Sequence, residues 1–242
     1  MPDTELMSVN IIPSIIGERF EEIRTKLIEL NGLVSWAQID VVDGLFAVPP
    51  TWPYKYKEHT AELRNLLRQP GMPKVEVHLM VESPDPEIER WLASGASRIW
   101  FHYEATPSVN ELLTYCETPR AGLNKRGKIR IVPRSDVGVA LKLETPAIEL
   151  DQLSHPPHFI QLMSITRIGS YGASFDDAVF PKIEYLRRKF PHATISIDGG
   201  VTLENAPELV AAGATQLVVG SAIWKSKNMK ETIKQFKSLS VQ

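Results

Sequence analysis

Along the chain, short apolar runs alternate with longer stretches whose apolar positions recur at helical spacing. The short runs predict strands at residues 9–13, 36–41, 75–80, 98–102, 137–142, 159–163, 194–197 and 216–219. The longer stretches predict helices at 18–30, 58–67, 86–93, 109–116, 145–153, 177–190, 205–212 and 229–239. In the first of these, Phe20, Ile23, Leu27 and Leu30 share one face. Pro84 and Asp85 open the third, and Gly32, Gly95 and Gly213 fall where helix C-termini are expected. Strand and helix in alternation imply a parallel sheet. Eight such units favour a closed barrel, and 242 residues is close to the roughly 250 of that architecture. An open dinucleotide-binding sheet would place a glycine-rich turn after its first strand, where this chain has Pro13-Ser14-Ile15-Ile16. The expected fold is α/β, a single (β/α)8 TIM barrel spanning residues 1–242 as one domain. No break in composition suggests a second.

Composition narrows the partners. The formal net charge of -2 offers nothing to recruit nucleic acid or an anionic membrane surface. No run approaches the roughly 18 apolar residues of a membrane span. Cys116 is the sole cysteine, which excludes an internal disulfide and any cysteine-rich metal site. The first residues carry Asp3 and Glu5 and lack the pattern of a signal peptide, so the expected location is the cytoplasm. A basic segment, Arg120, Lys125, Arg126, Lys128, Arg130 and Arg134, reads as a solvated loop or helix end, because no aromatic residues interleave it. The proline-rich stretch from Val48 to Pro53 reads as a rim over the barrel mouth.

The candidate chemistry starts in the second strand. Alternation from Trp36 to Val42 puts Gln38, Asp40 and Val42 on one side of the sheet. A carboxylate at the end of an apolar strand costs several kcal/mol to desolvate unless a cation or donors meet it. Asp40 therefore either caps a loop or pairs with a structural cation, or else serves catalysis or metal binding. Ser14, His78, Ser164, Asp198 and Ser221 also stand at predicted strand ends, the functional face of a barrel. Asp198-Gly199-Gly200 and Gly220-Ser221 follow the seventh and eighth strands, where such folds hold phosphate on exposed backbone N–H groups.

In this order and spacing the motifs resemble the ribulose-phosphate 3-epimerase family over nearly the whole chain. They are Pro13-Ser14-Ile15, Asp40-Val41-Val42-Asp43-Gly44, Val77-His78-Leu79-Met80-Val81, His102-Tyr103-Glu104-Ala105, Leu162-Met163-Ser164, Ile197-Asp198-Gly199-Gly200-Val201 and Gly220-Ser221-Ala222-Ile223, with Gly138-Val139-Ala140-Leu141 ahead of Thr145-Pro146. The resemblance implies a barrel that interconverts ribulose 5-phosphate and xylulose 5-phosphate through an enediolate. It implies Asp40 and Asp198 as the acid/base pair and Asp40, His78 and Asp198 as ligands of a divalent ion (zinc, iron, manganese or magnesium). It further implies Ser14 near the base, Met80 and Met163 around the reacting carbons, and Gly199, Gly200, Gly220 and Ser221 on the phosphate, helped by Gly169 and Gly172. A phosphorylated ketose is the expected partner, and homo-oligomerisation is left open.

Three positions depart from the family. Gln38 stands where the family has its first metal histidine, and a neutral amide oxygen is a weaker ligand than imidazole for zinc or iron. The loop after the sixth strand reads Thr166-Arg167-Ile168-Gly169-Ser170-Tyr171-Gly172 in place of an Asn-Pro-Gly-Phe-Gly-Gly-Gln-like clamp, with Arg167 offering a phosphate contact or folding outward. Val42 replaces a methionine. Competing readings are an epimerase for another ketose phosphate and a sugar-phosphate-binding relative without catalysis. The retained aspartate pair argues against the last.

Overall fold

The computed structural model describes residues 9–117, 120–123, 129–132 and 136–239. Its strands are β1 (Asn10–Ile15), β2 (Trp36–Val42), β3 (Lys74–Met80), β4 (Arg98–His102), β5 (Arg120–Leu123), β6 (Ile129–Val132), β7 (Asp136–Leu141), β8 (Phe159–Met163), β9 (Thr194–Asp198) and β10 (Gln216–Val219). The helices are α1 (Phe20–Glu29), α2 (Ala61–Leu67), α3 (Asp85–Ala93), α4 (Val109–Glu117), α5 (Val179–Lys189), α6 (Ala206–Ala211), α7 (Ser221–Trp224) and α8 (Met229–Lys237). Eight strands close a parallel barrel in the order β1-β10-β9-β8-β7-β4-β3-β2, the expected fold class. No described helix is long and apolar enough to cross a membrane.

Two segments differ from expectation. Residues 145–153 hold a 3-10 turn, Ala147–Gln152, in place of an α-helix. Only Ala147 and Leu150 are buried there, and that spacing of three is the eclipsed repeat of a 3-10 turn. Within the basic segment, β5 and β6 form an antiparallel pair, not a loop or helix end. Lys125, Arg126, Lys128 and Arg134 lie outside the described residues. The proline-rich stretch is anchored outward: Trp52 is buried, with ring centroids 5.4 Å from both Phe20 and Trp91. Its first residue, Val48, and the preceding Ala47 lie against Gly169 at the rim.

Strand alternation divides the chain's interior into two chemistries. Ala37, Ile39 and Val41 of β2, with Val75, Val77 and Leu79 of β3, join the apolar layer between strands and helices. The opposite positions fill the barrel, and many are polar. Glu76, fully buried, accepts from Arg98 at 3.0 Å and from Gln216 at 2.8 Å. Gln216 also donates to Ser196 at 3.1 Å, and Ser196 to Gln161 at 3.4 Å. Gly138 faces this interior because a Cβ there would lie 2.4 Å from the Trp100 ring.

Burial pushes the Glu76 carboxyl up to about 7 from its ordinary 4.5, against the pull of Arg98. A group raised on folding adds stability below its unfolded value and loses it as pH rises through the folded one. Between pH 4 and pH 8, Glu76→Gln is therefore expected to gain up to about 3 kcal/mol on the wild type. His102, lowered by burial to about 4, titrates in an overlapping window with opposite sign, so the difference between the two proteins isolates Glu76. Urea unfolding across that range checks it, and parallel stability curves would refute it.

Candidate active site

At the C-terminal mouth, the register pairs Asp40 of β2 with His78 of β3, and Met163 of β8 with Asp198 of β9. Strands β1 and β10 stand between β2 and β9, so the two carboxylates approach from different sides of the barrel. The amide of Gln38 bridges them, its Nε2 donating to Asp40 Oδ1 at 2.7 Å and to Asp198 Oδ2 at 2.8 Å. Gln161 adds a donor to Asp198 Oδ2 at 3.1 Å. His78 turns Nδ1 toward the same oxygens, 3.2 Å from Asp198 Oδ2 and 3.4 Å from Asp40 Oδ1. Its Nε2 meets His102 Nε2 at 3.0 Å, and His102 Nδ1 meets Glu104 Oε2 at 3.1 Å.

This packing moves the ionisations apart. Burial raises the Asp40 carboxyl, and the nearby Asp198 raises it further, against the close His78 ring and the Gln38 hydrogen bond. Burial disfavours a charged His78, but its contacts with Asp198 and Asp40 win and lift it to about 9. Burial opposes ionisation of Glu104, yet bonds from His102, Thr145 and the Lys142 N–H hold it down at about 2.

The donor set fits a divalent cation. Asp40, His78 and Asp198 each offer one atom, all within 4.8 Å of one another. His78 Nδ1 is buried and has no aligned hydrogen-bond partner, as expected of an atom aimed at a point between the carboxylates. Two carboxylate oxygens and one imidazole nitrogen suit manganese, iron or zinc. Gln38 presents its nitrogen to the acids and leaves a buried Oε1 without a partner. As set, it is a donor bridge between the two acids. Rotation of the amide end would exchange nitrogen and oxygen and turn Oε1 toward the acids.

Above the acids opens a cleft of about 560 Å³, continuous with solvent. Ser14, Asp40, His78 and Asp198 line its depth, with Met80 and Met163 beside them. Gly169 and Gly172 line it from the loop after β8, and Gly199, Gly200, Gly220 and Ser221 from the ends of β9 and β10. Gln38 lies beneath. Val42 packs with Met80, Met163, Ile165 and Ile168 as an apolar wall. Gly200 has φ +63°, and a Cβ there would press to 2.8 Å from the Phe175 backbone nitrogen. Ser164 does not line the cleft; its hydroxyl donates to Gly199 O at 2.6 Å and steadies the end of β9. Arg167 is exposed, turned outward, and apart from the lining.

Three site residues escaped the sequence reading. Gln161 sits two positions before Met163 on β8, as Gln38 sits two before Asp40, so period-two alternation could have found it. His102 ends β4 as His78 lies near the end of β3, the same signal. Tyr171 carried no periodic signal. Its hydroxyl donates to Ser14 O at 2.9 Å and accepts from Ile16 N at 3.0 Å, closing the β8–α5 loop onto β1. A Cβ on Gly220 would come within 2.7 Å of its ring.

Fold and site together define a (β/α)8-barrel enzyme. Among solved structures, 3-hexulose-6-phosphate synthase from Salmonella typhimurium superposes with a TM-score of 0.67 at 11% identity, covering 95% of this chain and 97% of that one. At that identity the likeness concerns fold alone. The chain belongs to the ribulose-phosphate 3-epimerase family, whose model matches residues 10–224. Its relatives include the ribulose-phosphate 3-epimerase of Eremothecium gossypii, 30% identical over 94% of this chain and 91% of that protein. The Bacillus subtilis enzyme of the same name is 27% identical over 95% and 98%. The chain is accordingly an isomerase.

Proposed function

We propose that the chain interconverts ribulose 5-phosphate and xylulose 5-phosphate by moving a proton at C3, with Asp40 and Asp198 as base and acid. The observation that carries this is the bridged carboxylate pair, entering one cleft from two sides of the barrel. Inversion needs one group to remove the C3 proton and another to return one on the opposite face. One carboxylate starts ionised and the other protonated; burial and mutual repulsion, which already raise Asp40, favour a single proton on the pair. After one turnover the proton has changed sides, so the pair serves both directions.

The other residues divide the remaining work. Gln38 and Gln161 hold the carboxylates in place without adding charge. Val42, Met80 and Met163 keep water from the reacting carbons. Bound by Asp40, His78 and Asp198, a divalent cation would supply Lewis-acid polarisation of the C2 carbonyl. The phosphate falls to the backbone at Gly199, Gly200, Gly220 and Ser221, with Gly169 and Gly172 across the cleft.

The test is turnover of ribulose 5-phosphate by metal-stripped protein before and after readdition of manganese, magnesium, iron or zinc. Inorganic phosphate should compete with substrate. Absence of turnover with every ion would sink the assignment. A different ketose phosphate is the second reading, favoured because Tyr171 crowds Gly220 at the phosphate end. Comparing kcat/KM for ketopentose and ketohexose phosphates separates the two.

A further inference from the structure

Behind the acid pair, buried His78 and His102 form a chain of contacts that ends at Glu104 on the surface, and the outer half of that chain takes no part in the proton transfer. We propose that His102 and Glu104 are positioning residues that fix His78 with its Nε2 protonated and its Nδ1 turned to Asp40 and Asp198. The inference rests on the preceding section only in taking the aspartate side of His78 as its working side.

Glu104 Oε1 is occupied by the Lys142 N–H at 2.8 Å and by the Thr145 hydroxyl. Oε2 therefore serves His102 Nδ1, and since a carboxylate only accepts, that nitrogen carries a proton. The 3.0 Å contact between the two Nε2 atoms takes one further proton. Two carboxylates bear on His78 and one on His102, so that proton resides on His78 and is donated to His102. What remains at Nδ1 of His78 is the atom that meets a cation held by the aspartates, and in the neutral ring it is a lone pair. The opposite tautomer would present an N–H there and exclude the ion.

Packing keeps the rings from turning over. His78 and His102 are both fully buried and stacked, with centroids 5.0 Å apart and planes inclined by 29°. Phe46 covers His102 at 4.9 Å. Glu104 itself is tied to the segment after β7, so the reference point of the chain lies outside the acid cluster.

Two readouts test this on the full-length protein, and neither depends on turnover. The first is a two-bond proton–nitrogen correlation spectrum of the histidine rings with zinc added. The expected pattern is zinc on Nδ1 and a proton on Nε2 of His78; zinc on Nε2 would overturn the proposal. The second is zinc affinity by chelator competition. His102→Phe is expected to weaken it about 10- to 100-fold. Glu104→Ala should lose several-fold, and Glu104→Gln, whose amide oxygen still accepts, should recover most of that. A folded His102→Phe with wild-type affinity, or equal losses in the two Glu104 variants, would overturn it. If His102→Phe does not fold, the wild-type spectrum and the Glu104 pair decide. Failure of the epimerase assay would leave both readouts standing, so the two proposals fall separately.

Discussion

Asp40→Asn and Asp198→Asn are each expected to lower epimerisation of ribulose 5-phosphate by about 100- to 10,000-fold, the usual contribution of a positioned acid or base. An amide neither takes the C3 proton nor returns one, and no other described carboxylate lines the cleft. Each variant keeps the other acid, so residual exchange with heavy water should survive for one epimer only. The epimer should differ between the two variants. Stability should not fall with activity. Each replacement puts a neutral amide into a buried pair in which burial and the neighbouring carboxylate already disfavour the ionised Asp40. Melting temperatures at or above the wild-type value are therefore expected. Deuterium incorporation at C3 by mass spectrometry, with thermal unfolding alongside, is the check. Epimerisation at the wild-type rate, or exchange of both epimers, in either variant would remove that residue from the mechanism.

Gln38→His carries the second large effect. An imidazole in place of the amide would add a nitrogen donor beside Asp40, His78 and Asp198. Nitrogen donors suit zinc and iron, whereas one histidine among oxygens leans toward manganese or magnesium. Zinc binding should tighten by at least about tenfold, equivalent to about 1.4 kcal/mol. The metal-free protein should suffer, because Gln38 donates to both carboxylates at 2.7 and 2.8 Å and a neutral imidazole has one N–H to give. Hence the variant should melt below the wild type without metal, and its melting point should rise more when zinc is added. Calorimetric zinc titration and paired melting curves measure both. Equal zinc affinity in the two proteins would place Gln38 outside the reach of the ion.

The barrel was legible in the sequence because its signals are local. Alternation along β2 and β3 places Ala37, Ile39, Val41, Val75, Val77 and Leu79 against the helices, and their neighbours face inward. That period is set by the pleat of each strand, whatever stands beside it. The glycines after α1, α3 and α6 were equally readable: Gly32, Gly95 and Gly213 all take positive φ, a backbone need met within a few residues.

What each strand-end residue touches was decided only by closure of the barrel. Asp40 and Asp198 are far apart in the chain, yet one buried amide donates to both. Sequence alone marked Gln38 as a substitute ligand; the tertiary structure turned its nitrogen to the acids, because two carboxylates attract donors and repel a carbonyl oxygen. His102 acquired a partner through the neighbouring positions of β3 and β4, and Tyr171 through a loop that crosses the mouth to β1. Arg167, in the same loop, went to solvent. Periodicity specifies which face a residue takes, a property of one element. Distances across the barrel depend on the register of all eight strands at once, so contacts between elements emerge only when the whole sheet closes.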